Sequence, residues 1–488
     1  EHVVGSSRVR FAHIMPDCVG YKVLLRPLLW VCHNFRAVAY PRYCRYFYLD
    51  LNRPACDELE ARNFESDAVA LGYPTHRFAK ELMLELSGAS IFSGRALEAL
   101  SQAPYSGCAF PLLRLLTTIV IVDYSSKDIE ANPLVVEANI KSFVQRIKDM
   151  APMVNEVRVE VDSIVEQPEI PCRHFGDLIS QLLRLADRIG YNDVNPTPVL
   201  VAWQLNDICG LSHIKADFES DGSRFIQLAR QNAQTLQSLN IHTHFGSEVS
   251  SLIQNTDGGH VTYPQLLTLR LLCSAESSEQ RRTCFNSSVV PFPSLRCIDL
   301  PHSHPFGDDT LFRGNAASLE RLEMELDSET VAMLRNHNVF MPTSHQKLQS
   351  VGISFFDDLT PDVFATAADC LRFVLNIGSR ASVREFRGYM EEDKFIPALS
   401  TLGDYACIQV LVLSNMRLDL WQTIALVKLL PLLSDLTAAS PNPCPLPDGI
   451  MRDELPAYVV STYAPLGVRF RCWHFIYESG GTDCYGME

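Results

Sequence analysis

One apolar pattern that recurs along the chain restricts the folds available to it. In the segment 294–300, the apolar residues Leu295, Ile298 and Leu300 are separated by three positions and then by two. This spacing fits neither the stripe of an amphipathic helix nor the simple alternation of a strand. It is typical of a repeated unit in which a tight turn precedes a short strand, and alternate strand side chains enter a shared core.

Copies of this apolar triad occur through most of the sequence. Clear copies are Val154/Val157/Val159, Leu211/Ile214/Ala216, Leu236/Leu239/Ile241, Leu266/Leu269/Leu271, Leu319/Leu322/Met324, Leu348/Val351/Ile353, Val383/Phe386/Gly388 and Ile408/Leu411/Leu413. Weaker copies are Cys44/Phe47/Leu49, Ala79/Leu82/Leu84 and Leu113/Leu116/Thr118. Between triads the apolar residues follow a helical period, most clearly in the segments 140–150, 223–233, 363–374 and 421–430.

This alternation of strands and helices predicts the fold class. A period of roughly 24 to 35 residues is the signature of an α/β solenoid. We therefore expect residues 44–488 to form an irregular leucine-rich-repeat solenoid, with parallel strands on the concave side and helices on the convex side. The longer intervals from Leu113 to Val154 and from Val154 to Leu211 indicate longer helices or a degenerate unit. Residues from Val468 onward predict a last, atypical strand that caps the array.

Residues 1–43 follow a different pattern. Leu24, Leu28, Val31, Phe35 and Val38 recur at steps of four and three, which predicts one apolar face of a helix. The alternation in the segment 44–51 then predicts the first strand of the array. We therefore expect a short helical module over residues 1–43, joined directly to the repeats.

The N-terminal segment resembles a known interaction module. Residues 24–51 read LLRPLLWVCHNFRAVAYPRYCRYFYLDL, and the run VCHNFRAV at 31–38 resembles the second half of an F-box. Together with a repeat array, it resembles the F-box/leucine-rich-repeat proteins, in particular those of the expanded fungal sets. The Leu-Pro start of the first F-box helix is missing, so we expect that the sequence begins inside the module.

The resemblance implies a non-enzymatic subunit that recruits a substrate to a cullin-type (SCF) ubiquitin ligase. In that family the module docks on a Skp-type adaptor, the adaptor joins a cullin, and the array holds a protein substrate. The residues expected to contribute to the adaptor contact are Leu28, Leu29, Val31, Cys32, Phe35 and Arg36. The alternative is a leucine-rich scaffold that binds proteins without a ligase role.

Charge and cysteine content narrow the class of partner. The formal net charge of −15 repels phosphate backbones, so we expect no nucleic-acid partner. No apolar run reaches the roughly 20 residues of a membrane span, so we expect no membrane partner. The 15 cysteines are spread singly, mostly among apolar neighbours, as at Cys273, Cys297 and Cys407. They predict reduced core thiols in an intracellular protein of the cytoplasm or nucleus.

Motifs for catalysis and for metal binding are missing from the sequence. It contains no Gly-x-Ser-x-Gly elbow, His-Glu-x-x-His pair or phosphate loop, so we expect no catalytic residue and no cofactor. The pairs His242/His244 and His302/His304 lack a third ligand at a metal-site spacing, so we expect no metal. An enzyme whose site leaves no motif remains a third hypothesis.

Overall fold

The computed structural model describes residues 45–51, 75–101, 109–122, 132–163, 173–193, 208–218, 223–243, 251–254, 259–273, 290–300, 318–326, 347–355, 367–375, 382–389, 397–418, 420–439, 468–478 and 481–487, and the single positions Leu311, Asn315 and Val331. The chain forms two compact units, Glu1–Ser220 and Asp221–Glu488. Strands predominate along the described residues of both units, with helices between some of them.

The first unit contains a parallel sheet in sequence order. Its strands are β1 (Tyr46–Asp50), β2 (Glu81–Ser87), β3 (Leu115–Val122), β4 (Glu156–Ser163), β5 (Arg188–Asp193) and β6 (His213–Phe218). Each pairs with the next in parallel. The described helices are α1 (Gly88–Phe92), α2 (Arg95–Ser101), α3 (Pro133–Met150) and α4 (Arg173–Leu183), and a short 3-10 helix spans Thr75–Phe78.

The second unit follows the same plan until its last strand. Its strands are β7 (Ser238–Thr243), β8 (Thr268–Cys273), β9 (Cys297–Leu300), β10 (Arg321–Leu326), β11 (Ser350–Phe355), β12 (Glu385–Tyr389), β13 (Val410–Arg417), β14 (Asp435–Ala439), β15 (Arg469–Glu478) and β16 (Gly481–Met487). Strands β7 to β15 pair in parallel, and β16 turns back antiparallel to β15. The helical segments are α5 (Ser223–Gln231), α6 (Ala367–Leu375), α7 (Leu420–Leu429) and the 3-10 helix Pro397–Asp404.

The apolar triads occupy equivalent places in the strands of the two units. Their second residues lie directly opposite one another, as Leu82, Leu116, Val157, Ile189 and Ile214 do in the first unit. The same row in the second unit holds Leu239, Leu269, Ile298, Leu322, Val351, Phe386, Leu411 and Leu436. All of these side chains are buried. Because each buried Leu, Ile, Val or Phe contributes about 1.5–3 kcal/mol, this row makes the register of the strands energetically unambiguous.

The long interval between Val154 and Leu211 contains a complete repeat that the sequence pattern did not identify. Its strand is β5, and its triad is Ala186/Ile189/Tyr191, with Ile189 and Tyr191 buried. The weak first residue, a half-buried alanine, explains why the unit was not recognised. The predicted C-terminal strand near Val468 is confirmed as β15, whereas the antiparallel strand β16 was not predicted.

A fourth buried position, six residues before the second triad residue, recurs in both units. It holds Phe110, Tyr263, Phe292, Tyr405 and Leu430, among others. In each of these five cases the backbone carbonyl accepts a hydrogen bond from the N–H three residues later, at 3.0–3.4 Å. The turn that leads into the strand is thus closed and anchored in the core by one large side chain.

Two of these anchors also pack against each other. The rings of Tyr263 and Phe292 stack with their centroids 5.5 Å apart. The Tyr263 hydroxyl donates a hydrogen bond to the Leu252 carbonyl at 2.9 Å, and burial raises the pKa of Tyr263 above its usual value. The aromatic anchor therefore keeps its one polar group paired inside the core.

Two other turns are closed by buried asparagines. The backbone carbonyl of Asn232 accepts from the Leu236 N–H at 2.9 Å, and its side chain donates to the Leu228 carbonyl at 2.9 Å. Asn315 makes the equivalent bonds to Leu319, at 3.0 Å, and to Leu311, at 2.9 Å. These bonds satisfy helix-end and turn carbonyls that would otherwise be buried without partners.

The start and the buried face of α3, the longest described helix, are explained by its local sequence. Asn132 caps its N-terminus by accepting a hydrogen bond from the Leu134 N–H at 3.1 Å, and Pro133 occupies the first turn. Its buried face is formed by Val136, Ile140, Phe143, Val144, Ile147 and Met150. This helix fills the long interval before β4, as the spacing of the triads predicted. No helix among the described residues is long and apolar enough to cross a membrane.

Candidate protein-binding surface

A row of polar residues lies on the face of the second sheet that is opposite the triads. Between the second and third triad positions, strands β8 to β12 carry Arg270, Asp299, Glu323, Gly352 and Arg387. The register places each of these residues directly beside the next one. We call this row, together with the neighbouring Arg321 and Glu385, the charged ladder.

Ion pairs join the members of the charged ladder in two groups, Arg270 with Asp299, and Glu323 and Glu385 with Arg321 and Arg387. Arg270 Nε lies 3.2 Å from Asp299 Oδ2. Glu323 Oε1 forms an ion pair with Arg321 Nη2 at 2.5 Å and lies 3.7 Å from Arg387 Nε. Arg387 Nε also donates to Glu385 Oε1 at 2.6 Å. The side chains are therefore held in place before any partner arrives, which lowers the entropy that binding must cost.

Gly352 makes the contact between Glu323 and Arg387 possible. It stands between Glu323 on β10 and Arg387 on β12, so the pair must reach across a whole strand. A Cβ atom at Gly352 would lie 2.5 Å from Glu323 Cγ and 3.3 Å from its Oε1. The glutamate thus leans over the glycine, and the empty position is what lets the two charges meet.

The arginine side chains of the charged ladder are more exposed to solvent than its carboxylates. The side chains of Arg270, Arg321 and Arg387 are 41–43% exposed, whereas those of Asp299, Glu323 and Glu385 are 21–24% exposed. The guanidinium groups are therefore the outermost part of the charged ladder. Arginine is enriched in the energetically important part of protein interfaces, where its planar group both stacks and donates hydrogen bonds.

Partial burial perturbs the ionisation of two members of the ladder. Burial raises the pKa of Asp299 above its ordinary range, and this outweighs the lowering effect of Arg270. For Arg321, burial by itself lowers the pKa, but the hydrogen bond and the charge of Glu323 raise it overall. Perturbed ionisation of this kind is a feature of candidate functional sites.

The first unit has a smaller counterpart of the charged ladder. Glu156 Oε1 pairs with Arg158 at 2.6 Å, and its Oε2 lies 3.9 Å from Arg188 Nε. Arg158 leans over Gly190 on the next strand, where a Cβ atom would lie 2.8 Å from Arg158 Cγ. Nearby, burial raises the pKa of Glu160 despite the opposing charges of Arg158 and Lys215.

The residues expected to contact an adaptor lie outside the described part of the chain. These are Leu28, Leu29, Val31, Cys32, Phe35 and Arg36, and with them the whole predicted module 1–43. Among the predicted histidine pairs, His244, His302 and His304 also lie outside it. Within the described residues, no group of three or more His, Cys, Asp or Glu side chains could hold a metal ion.

The prediction of core thiols is wrong for Cys297 and Cys407, which are both only half-buried, and the described Cys209 is exposed. Cys297 is half-buried and lies on the polar face of β9, between Thr268 and Arg321, because it immediately precedes the buried Ile298 and alternation turns it outward. Burial nevertheless raises the pKa of its thiol, and a hydrogen bond to Thr268 only partly offsets this. The thiol is therefore protonated and a poor nucleophile at neutral pH.

The charged ladder was not predicted, although the sequence contained a signal for it. The residue between the last two apolar positions of each triad must face away from the core, because side chains alternate along a strand. Reading that position from β8 to β12 gives Arg, Asp, Glu, Gly and Arg. The ion pairs themselves depend on strand order and register, which the pattern in one strand does not give.

Comparisons with known proteins do not assign the chain to a family. Neither the profiles of known protein families nor the sequences of curated proteins give a match.

Proposed function

We propose that this chain is a non-enzymatic substrate-recruiting subunit of a cullin-type (SCF) ubiquitin ligase. In this proposal the strands and helices belong to an irregular leucine-rich-repeat solenoid whose strand face is concave. The array binds a protein substrate, and the N-terminal module docks on a Skp-type adaptor in the cytoplasm or nucleus. The adaptor contact is assigned to Leu28, Leu29, Val31, Cys32, Phe35 and Arg36.

The observation that carries the protein-binding part of the proposal is the charged ladder. One position per strand faces away from the core at a fixed register, from Arg270 to Arg387, and only Gly352 carries no side chain there. Such residues can differ from strand to strand without disturbing the buried triads, so the surface can be adapted to one partner. The more exposed arginines give this surface hydrogen-bond donors, and their pairing with the carboxylates gives it a defined shape.

The adaptor part rests on the F-box resemblance of the segment VCHNFRAV at 31–38. Leu28, Leu29 and Phe35 are large apolar residues near or within the predicted helical stripe, and interfaces concentrate their energy in a few such anchors. Because the contact is mainly apolar, raising the salt concentration should weaken it little.

The test is a pull-down with a purified Skp-type adaptor, using the protein with the first helix of the module restored upstream. The parent should bind, and the double variant Leu28→Ala/Leu29→Ala should lose about 2 kcal/mol or more if both leucines are buried in the contact. A matched control is Leu134→Ala/Val135→Ala, a neighbouring apolar pair on α3 that is 75% and 52% exposed. Circular dichroism on all three proteins checks that the fold is kept.

No binding by the parent protein with the first helix restored would refute the ligase role. The second candidate, a leucine-rich scaffold without an adaptor, would then remain. The observation that favours this candidate is that the charged ladder lies wholly within residues 270–387 and needs nothing from the N-terminal module. A scaffold would keep its partner when residues 1–43 are removed, whereas ubiquitination of that partner depends on them in the ligase.

A further inference from the structure

A second surface lies at the edge of the first unit where the strands begin. The residue four positions before the second triad residue is Leu112 ahead of β3, Met153 ahead of β4 and Leu185 ahead of β5. Leu112, Met153 and Leu185 lie in turns, and Leu112 and Met153 are 45% and 46% exposed. Since neighbouring strands lie about 4.8 Å apart, three adjacent turns form a continuous apolar strip.

Cationic side chains flank this strip. Arg114 lies two residues after Leu112. Its Nη1 donates a hydrogen bond to the Met153 carbonyl at 3.3 Å, which fixes the guanidinium between the two turns. Lys80 occupies the equivalent place on the preceding strand, because its carbonyl accepts the Arg114 N–H at 2.9 Å. Both side chains are exposed. Ahead of β4 and β5 the same place holds Asn155 and the exposed Asp187, so the two cations lie at the Leu112 and Met153 end of the strip.

The second unit does not repeat this composition at the equivalent turns. Ahead of strands β7 to β13 the same position holds Thr235, Gln265, Ser294, Ser318, Lys347, Ser382 and Cys407, and only ahead of β14 does a leucine, Leu432, return. The position is thus not required to be apolar for the turn to form. The apolar residues of the first unit need a cause other than folding, and contact with a partner is the simplest one.

We propose that Leu112, Met153 and Leu185, with Lys80 and Arg114, form a docking site for an acidic amphipathic segment of a partner protein. We call this set the apolar-basic edge. The segment's apolar side chains would cover the strip, and its carboxylates would pair with the flanking cations. This site is separate in composition and position from the charged ladder and goes beyond the proposed recruiting function.

Other occupants fit the charges less well. An anionic membrane would attract the edge but repel the rest of a chain of net charge −15. The chain's own residues 1–43 contain six Lys and Arg against two Asp and Glu, so they would repel Lys80 and Arg114. A second copy of the chain would bring its own cations to the same edge in a symmetric contact.

The experiment measures fluorescence anisotropy with a labelled synthetic helix about four turns long, which carries leucines on one side and glutamates on the other. A second peptide carries lysines in place of the glutamates. The full-length protein should bind the glutamate peptide and discriminate against the lysine peptide. Leu112→Ser/Met153→Ser should weaken binding of the glutamate peptide by about tenfold or more, and Arg114→Glu should reverse the preference between the two peptides.

The matched control is Leu432→Ser, which removes a leucine of 54% exposure from the equivalent turn of the second unit and should leave binding unchanged. If the double serine variant does not fold, the charge reversal at Arg114 decides the question alone. The proposal is overturned by equal binding of both peptides, by an equal loss in Leu432→Ser, by a preference for vesicles of anionic phospholipid over the peptide, or by self-association that Arg114→Glu abolishes.

Discussion

Replacing Gly352 with alanine should disconnect two charges that lie on strands on either side of it. The new Cβ atom would lie 2.5 Å from Glu323 Cγ, which is closer than carbon atoms can approach. Because the conflict is with a side chain, Glu323 can rotate away while the backbone stays in place. Rotation keeps its partner Arg321, on the same strand, within reach, but it removes the carboxylate from Arg387, now 3.7 Å away.

The expected change in overall stability is small because two effects oppose each other. Glycine in a strand interior costs roughly 0.5–1 kcal/mol relative to alanine, and the substitution recovers this. The lost contact between partly exposed charges contributes about 0.2–1 kcal/mol. The free energy of unfolding should therefore change by less than about 1 kcal/mol in either direction, and total stability alone would not reveal the change in the ladder.

A double-mutant cycle isolates the contact. Glu323→Gln, Arg387→Gln and the double variant are compared in the parent and in the Gly352→Ala background, using urea unfolding followed by circular dichroism. We expect a coupling of about 0.2–1 kcal/mol in the parent and none in the Gly352→Ala background. The Arg270–Asp299 pair, at 3.2 Å, serves as a control whose coupling should not change. An undiminished Glu323–Arg387 coupling would refute the role assigned to Gly352.

Three further predictions follow from burial. Leu239→Ala should cost about 2–5 kcal/mol in denaturant unfolding, and Leu239→Asp more, whereas Leu267→Ala, at a 37%-exposed position, should cost about 1 kcal/mol or less. Tyr263→Phe should cost about 0.5–1.5 kcal/mol by leaving the Leu252 carbonyl unpaired, seen as a lower urea midpoint. Because burial raises the pKa of Glu160, its ionised form destabilises the fold above that pKa, and this penalty is relieved as the pH falls through it. Glu160→Gln should therefore raise the urea midpoint at about pH 7.5 and lose this advantage near pH 4, and an unchanged or lower midpoint at pH 7.5 would contradict it.

The sequence pattern was most informative where each repeat contributes a full triad. At Leu295/Ile298/Leu300 and Leu236/Leu239/Ile241 the spacing alone located the turn, the strand and the buried face, because every residue in those triads is buried. It was weaker at β5, where Ala186 begins the triad. It did not show the anchor position of Tyr263 and Phe292, because the residue at that fixed offset varies in size from one repeat to the next, as Ala151 and Ala233 show.

The candidate surface was harder to predict than the core, for a physical reason. Core positions are restricted to apolar residues, so they leave a repeating pattern in one chain. The ladder depends on pairs such as Glu323 and Arg387, which are 64 positions apart in sequence and meet only across an intervening glycine. Exposed charges tolerate many substitutions, so no periodic signal marks them, and their meaning appears only once the strand register is known.

The central claim, that this chain binds a protein partner on the polar face of its second sheet, is tested most directly by site-specific photo-crosslinking in cells. The crosslinking amino acid is placed at Val412, which lies beside Arg387 in the register of β12 and β13, or at Lys428, which is exposed on α7. The account predicts a discrete adduct from Val412 that disappears when Arg387 is changed to Glu, and no such adduct from Lys428. Adducts from Lys428 alone, or an adduct from Val412 that survives Arg387→Glu unchanged, would contradict it.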